Sequence, residues 1–318
     1  MTARYPLLYF WLRLSSILLS TLMLVLPGLA QHLSLFLALL LIAVLGIPHG
    51  ATDHRIFSVL LYRKGGKPMM KRFYGGYLGL MLIYALLWWL SPVFSLLIFL
   101  LTSMYHFGQS NWNYVNLRSW PKSLLYVLYG AFVLFVPILA HFESAQPIVA
   151  SIIQRPLSQA SPLLLNGGIG VVVVLNFGMI GLLWAVGKLT HQQAWAEVLN
   201  LFILLALFVS TPLLVGFALY FSGWHALSSI QDQIVFFQSQ KPGYRLKDYV
   251  VEAMPYTGLA IFGLMMMIWY SNSIQMDAAS GILFIFLSLV TLPHLVLIEM
   301  LYRIGQSAEV EWGATVPE

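Results

Sequence analysis

The sequence contains no cysteine, which excludes disulfides, iron–sulfur clusters and thiolate metal sites and leaves only nitrogen and oxygen as metal donors. Charge is nearly as scarce. Only 8% of the 318 residues are Asp, Glu, Lys or Arg, against about 25% in an ordinary soluble domain, and 60% are hydrophobic. A soluble globule is excluded on that count. There is also no alternating strand pattern, no repeat period and no low-complexity segment. Helices are then the way for the backbone to satisfy itself in lipid, and several uncharged runs reach the roughly 20 residues needed to cross about 30 Å of hydrocarbon. The formal net charge of +5 would suit a nucleic-acid binder, but the basic residues sit in short loops between apolar runs rather than on one face. They read as topology signals, with the lipid bilayer and not nucleic acid as the partner.

What is present is an all-α, polytopic transmembrane bundle forming a single domain over residues 1–318. Apolar runs punctuated by Pro, Gly and charge place ten spans near 7–27, 33–53, 74–90, 93–110, 123–140, 167–187, 197–210, 212–230, 255–271 and 280–300. The N-terminal run has the order of a signal peptide, but its length and the presence of Arg13 within it favour a retained first span. Ser91-Pro92 and Thr211-Pro212 leave room only for antiparallel hairpins. If the N-terminus is cytoplasmic, every basic residue except Arg155 falls on the inner side, so the positive-inside rule puts both termini in the cytoplasm. The segment around 142–166, with three prolines, reads as an external loop at the interface.

Of the eight histidines, His32, His141 and His191 fall in connections or at span ends and read as solvated. The other five lie in the inner halves of even-numbered spans: His49 and His54 on span 2, His106 on span 4, His225 on span 8 and His294 on span 10. At about 1.5 Å per residue, His49 and His294 lie roughly 9 to 14 Å inward from Arg55 and Arg303. A lone intramembrane histidine is most simply a hydrogen-bond partner for a neighbouring helix. Four helices contributing imidazoles at one level point instead to a metal ion, because scattered unpartnered imidazoles would be costly in hydrocarbon and neutral imidazole suits iron, copper, nickel and zinc.

The sequence beside each histidine adds detail. In GIPHGATDH, Pro48, Gly46 and Gly50 weaken the helix at His49, and broken helices at membrane depth border cavities. Asp53, four residues on, shares the helical face of His49 and is expected to hold its imidazole tautomer from behind, with direct ligation or a helix-end ion pair as alternatives. His54 points elsewhere and ranks last. In TSMYHFGQSNW, the polar run Gln109–Asn111 is expected to line a cavity next to His106. Ser229 follows His225 by one turn, and Glu299 is expected to pair with Arg303.

At GIPHGATD, YHFG, the aromatic run into His225 and LPHLVLIE, which occur in that order, the chain resembles the Brp/Blh family of bacterial and archaeal membrane β-carotene 15,15′-dioxygenases from about Gly46 to Glu299. The resemblance implies a multi-pass protein of a prokaryotic inner membrane that uses O2 to cleave the central double bond of β-carotene into two molecules of retinal. It implies non-haem Fe2+ held by His49, His106 and His225. Similar proteins often carry a second histidine where this chain has Ser229; the depth argument nominates His294 as fourth ligand, with water or Asp53 as substitutes. Two rivals stand beside this reading. A di-iron hydroxylase or desaturase is suggested by the HGATDH spacing but needs more clustered histidines. A non-enzymatic carotenoid or retinal carrier, or a rhodopsin assembly factor, would bind polyene without consuming oxygen. The sequence argues against an opsin, because every lysine lies in a loop or at a span end and none in mid-span to form the Schiff base.

Overall fold

A computed structural model describes residues 6–63, 69–270 and 276–312, and within it everything regular is helical. Ten helices are long and apolar enough to cross a membrane: Pro6–Val25, Ser34–Leu61, Met70–Leu90, Pro92–Trp112, Trp120–Ala140, Pro162–Ala185, His191–Ser210, Leu213–Gln238, Leu246–Tyr270 and Ala278–Tyr302, numbered here as spans 1 to 10. The expected number and order of spans hold. The edges move outward where a helix continues past its apolar run, as in span 9, whose first turns carry Lys247, Asp248 and Glu252. The expectations for Arg4, Lys64 and Lys67, and for the side chains of His32, Arg63 and Arg303, lie outside the described residues.

Local chemistry sets the span ends. Spans 1, 4 and 6 begin at Pro6, Pro92 and Pro162, where a missing N–H costs nothing in the first turn. Span 7 opens on a reciprocal cap: the Thr190 hydroxyl accepts from the Gln193 backbone N–H at 3.2 Å, and the Gln193 side chain accepts from the Thr190 N–H at 2.9 Å.

Residues 142–153 are not a loop. They form a twelve-residue helix, Phe142–Ile153, with Ala145, Ile148 and Ile152 buried against the bundle. The helix accommodates Pro147 in its interior at the loss of one bond, to the Glu143 carbonyl, and Pro156 comes only after the helix has ended at a left-handed Gln154. His141, just ahead of it, is tied down rather than solvated, its Nε2 lying 2.8 Å from the Phe208 carbonyl of span 7.

Span 8 is the most enclosed element: 83% of its apolar window is buried, against 11% for each of spans 3 and 9, so it forms the centre of the bundle. Spans 4 and 5 touch backbone to backbone, because a Cβ on Gly108 would overlap the Tyr126 backbone and one on Gly130 would overlap that of Met104. Close approach at small residues is how helices gain packing contact where the hydrophobic effect no longer drives them together. Trp88 donates to the Ser288 hydroxyl at 2.8 Å and Tyr84 to the Ser95 carbonyl at 2.8 Å, joining span 3 to spans 10 and 4.

Candidate metal centre

Both central histidine-bearing helices depart from α geometry at the histidine. Pro48 has no N–H to give and its ring would strike the carbonyl four residues earlier. Span 2 responds by widening to a π-helix over Ile42–Gly46 and tightening to a 3-10 turn over Ile47–Gly50, which carries His49. Span 8 widens to a π-helix over Tyr220–Leu227, which carries His225. Such segments are uncommon and gather at functional sites. The two face each other across Gly46, where a Cβ would stand 2.6 Å from the Phe221 ring.

The carbonyls of the tight turn are bound from spans 8 and 9, that of Pro48 in addition to the Ala51 N–H at 3.1 Å. Gln233 donates to the His49 carbonyl at 2.7 Å and accepts from Thr52 at 2.5 Å, and the Tyr249 hydroxyl donates to the Pro48 carbonyl at 3.0 Å. All of these side chains but Pro48 are buried. An unmet buried carbonyl costs about 1–3 kcal/mol, so this clamp holds the turn, and with it His49, in place.

The four histidine rings close a circuit. Centroids stand 5.0 Å apart from His49 to His225, 4.7 Å from His225 to His106, 5.3 Å from His106 to His294 and 5.0 Å from His294 to His49, each pair of planes steeply inclined. His49, His106 and His225 each turn one ring nitrogen inward so that the three lie within 4.8 Å of one another; His294 falls outside that tighter group. Every one of the four is buried. Among the described residues, neither ring nitrogen of His106 or His225 has a hydrogen-bond partner. A neutral imidazole always bears one donor and one acceptor, so leaving both unmet in a buried site carries a desolvation penalty. His49 differs in that its Nδ1–H donates to the Gly46 carbonyl, which leaves the lone pair on Nε2. The donor set therefore fits a metal ion: one nitrogen from each of three buried histidines converges, and those of His106 and His225 have no partner among the described residues.

Asp53 lies beside His294 rather than His49. Its Oδ1 and Oδ2 lie 2.8 and 3.1 Å from His294 Nδ1, and Tyr77 donates to Oδ2 at 3.2 Å. The expectation failed because a 3-10 turn and the Ala51–Thr52 bend separate His49 from the helix that starts at Asp53, so no single 3.6-residue period links the two residues. His54 packs on Tyr256 at 4.3 Å between centroids, away from the group. Ser228, not Ser229, lines the small cavity beside His225, together with Tyr9, Ser110, Asn111 and Tyr220. The π-helix has shifted the register by part of a turn. Glu299 receives hydrogen bonds from Gln109 at 2.6 Å and Tyr105 at 3.1 Å.

One buried acid went unnoticed in the sequence. Glu197 of span 7 accepts from Tyr114 at 3.2 Å, from Asn200 at 3.3 Å and from Asn111 at 3.4 Å, and Asn200 in turn accepts from Arg13 at 2.9 Å. Arg13 thus serves as a polar tie between spans 1 and 7. A lone acid within an apolar run was the available signal.

Residues 40–302 match the family described as beta-carotene 15,15′-dioxygenase. The chain belongs to that family. One relative, named beta-carotene 15,15′-dioxygenase and from uncultured marine bacterium 66A03, is 28% identical over 284 residues, covering 84% of this chain and 93% of its own. No solved structure matches. The matched family region begins ahead of His49 and ends beyond His294, so all four clustered histidines fall inside it.

Proposed function

We propose that this protein cleaves the central 15,15′ double bond of β-carotene with dioxygen to give two molecules of retinal, using a ferrous ion held by His49, His106 and His225. The observation that carries the reading is the buried three-nitrogen group, with His106 and His225 otherwise unpartnered. The family and the relative's name supply the substrate and the bond. Fe2+ is the family-consistent choice among ions that imidazole suits, and when bound it supplies the site at which dioxygen is activated.

In this reaction one carbon–carbon double bond breaks and each of its carbons gains one oxygen atom, so no proton or outside electron is required. The site matches that balance, because the acid nearest the histidines, Asp53, is occupied by His294 and Tyr77 and is not free to act as an acid or base. The chain's own work is to hold, orient and exclude. Phe107 and Phe221 flank His225 at 5.0 and 5.8 Å between centroids, and Phe217 stacks on Phe221 at 5.9 Å. This aromatic wall keeps water from one side of the nitrogens and gives the site an apolar surround suited to a polyene, whose correct placement is worth much of the barrier. A substrate that dissolves in lipid suits a site reached from within the bilayer. In the proposed orientation both termini are cytoplasmic and the protein lies in the prokaryotic inner membrane, with the histidines toward the inner face.

A di-iron site is disfavoured by what the remaining described histidines do: His54 packs on Tyr256, His141 meets the Phe208 carbonyl and His191 accepts from Trp195. The test is production of retinal by purified protein supplied with β-carotene, O2 and Fe2+. One iron per chain and retinal formation that a ferrous chelator abolishes are expected. Polyene binding without oxygen uptake would identify a carrier and overturn the reading.

A further inference from the structure

We propose that Tyr77 and Asp53 form a positioning chain that makes His294 the fourth nitrogen of the metal centre. The inference rests on the reading of His49, His106 and His225 as metal ligands. It adds a residue from span 3, which contributes no histidine.

The argument starts at the carboxylate. Asp53 is 3% exposed, and both its oxygens lie within hydrogen-bond distance of His294 Nδ1, at 2.8 and 3.1 Å. An ionised carboxylate can only accept, so Nδ1 carries the proton. In the neutral ring the lone pair is then on Nε2, on the opposite flank from Asp53. That flank belongs to a ring whose centroid stands 5.0 Å from His49 and 5.3 Å from His106. A cation shared with the other three rings would take up that lone pair.

Tyr77 fixes the carboxylate in turn. Its hydroxyl lies 3.2 Å from Asp53 Oδ2 and 3.2 Å from the carbonyl of Val290, one turn before His294 on the same helix. One hydroxyl thus ties together the carboxylate and the backbone of the helix that carries the imidazole. The carboxylate also fixes the tautomer and orientation of the ring it holds, which presents Nε2 as a donor. A purely structural ion pair between spans 2 and 10 is the alternative, and it would be indifferent to metal.

Cobalt(II) is the probe, because its visible absorption responds to the number and arrangement of nitrogen donors. Purified full-length protein is titrated with Co2+, and the parent is compared with His294→Ala, Asp53→Ala, Asp53→Asn, Tyr77→Phe and His225→Ala. Both His294→Ala and Asp53→Ala are expected to bind Co2+ on the order of 10- to 100-fold more weakly, with an altered visible spectrum. Asp53→Asn keeps an accepting oxygen against Nδ1–H and is expected to retain the parental spectrum with a smaller loss of affinity. Tyr77→Phe keeps the ring packing and is expected to fall between the parent and Asp53→Ala. An unchanged affinity and spectrum in His294→Ala, while His225→Ala loses binding, would overturn the proposal and leave the three-histidine reading intact. Unchanged binding in His225→Ala would sink the underlying reading itself. If Asp53→Ala does not fold, the conservative Asp53→Asn and Tyr77→Phe variants decide: parental affinity and spectrum in both reject the positioning chain.

Discussion

Gly108→Ala adds one carbon atom two residues from His106, and the geometry of spans 4 and 5 makes that atom expensive. The new Cβ would overlap the Tyr126 backbone, which cannot swing aside as a side chain can. Carbon–carbon contacts settle near 3.5–4.0 Å, so the two spans must separate by about 1 Å or more at this level. Overpacking of this kind costs roughly 1–3 kcal/mol in stability. The effect on function should be larger, because metal–ligand distances tolerate only about 0.2 Å and span 4 carries His106. The expected outcome is a protein that inserts and can be purified but holds far less iron and forms little retinal. Gly178→Ala serves as the reference, since nothing lies within 4 Å of the Cβ it would add; it should leave iron content and activity unchanged. Iron is measured by elemental analysis of the purified variants and retinal by chromatography. Full iron loading and activity in Gly108→Ala would refute the claim that close packing of spans 4 and 5 sets the position of His106.

Three further outcomes follow from the same contacts. Gln233→Ala removes the donor to the His49 carbonyl and the acceptor for Thr52 and should cost about 1–3 kcal/mol in unfolding free energy, together with a measurable loss of metal affinity. Glu197→Gln removes a carboxylate that accepts from Tyr114, Asn200 and Asn111; a fall in thermal stability at unchanged iron content is expected, and iron loss at unchanged stability would assign Glu197 to the metal site. The absence of native cysteine makes topology directly readable: a membrane-impermeant maleimide added to intact cells should label Ser158→Cys and spare Lys241→Cys, and the reverse pattern would invert the proposed orientation.

The number of spans was readable because apolar length is a physical requirement of crossing a bilayer, and each run is bounded by Pro, Gly or charge. The gathering of His49, His106, His225 and His294 was readable for a related reason: residues at one depth on neighbouring helices have only the lateral distance left to close. What misled was helical period. The partner of Asp53 was misassigned because the chain between His49 and Asp53 is a 3-10 turn and a bend, and the period that set Ser229 one turn after His225 does not hold through a π-helix. The first departure follows from Pro48, whereas no proline lies within the π-helix Tyr220–Leu227 to mark the second. The helix Phe142–Ile153 was taken for a loop on proline count alone, without regard to where in a helix those prolines would fall. Glu197 was overlooked because, Asn200 of the same helix apart, its partners Asn111 and Tyr114 come from a distant part of the chain.

X-ray absorption at the iron edge of the purified, iron-loaded protein tests the central claim most directly. Imidazole nitrogens bound to a single iron, at about 2.0–2.2 Å and lost stepwise in His49→Ala, His106→Ala and His225→Ala, are the expected result. An iron signal with no imidazole scattering, or one unchanged in all three variants, would contradict it.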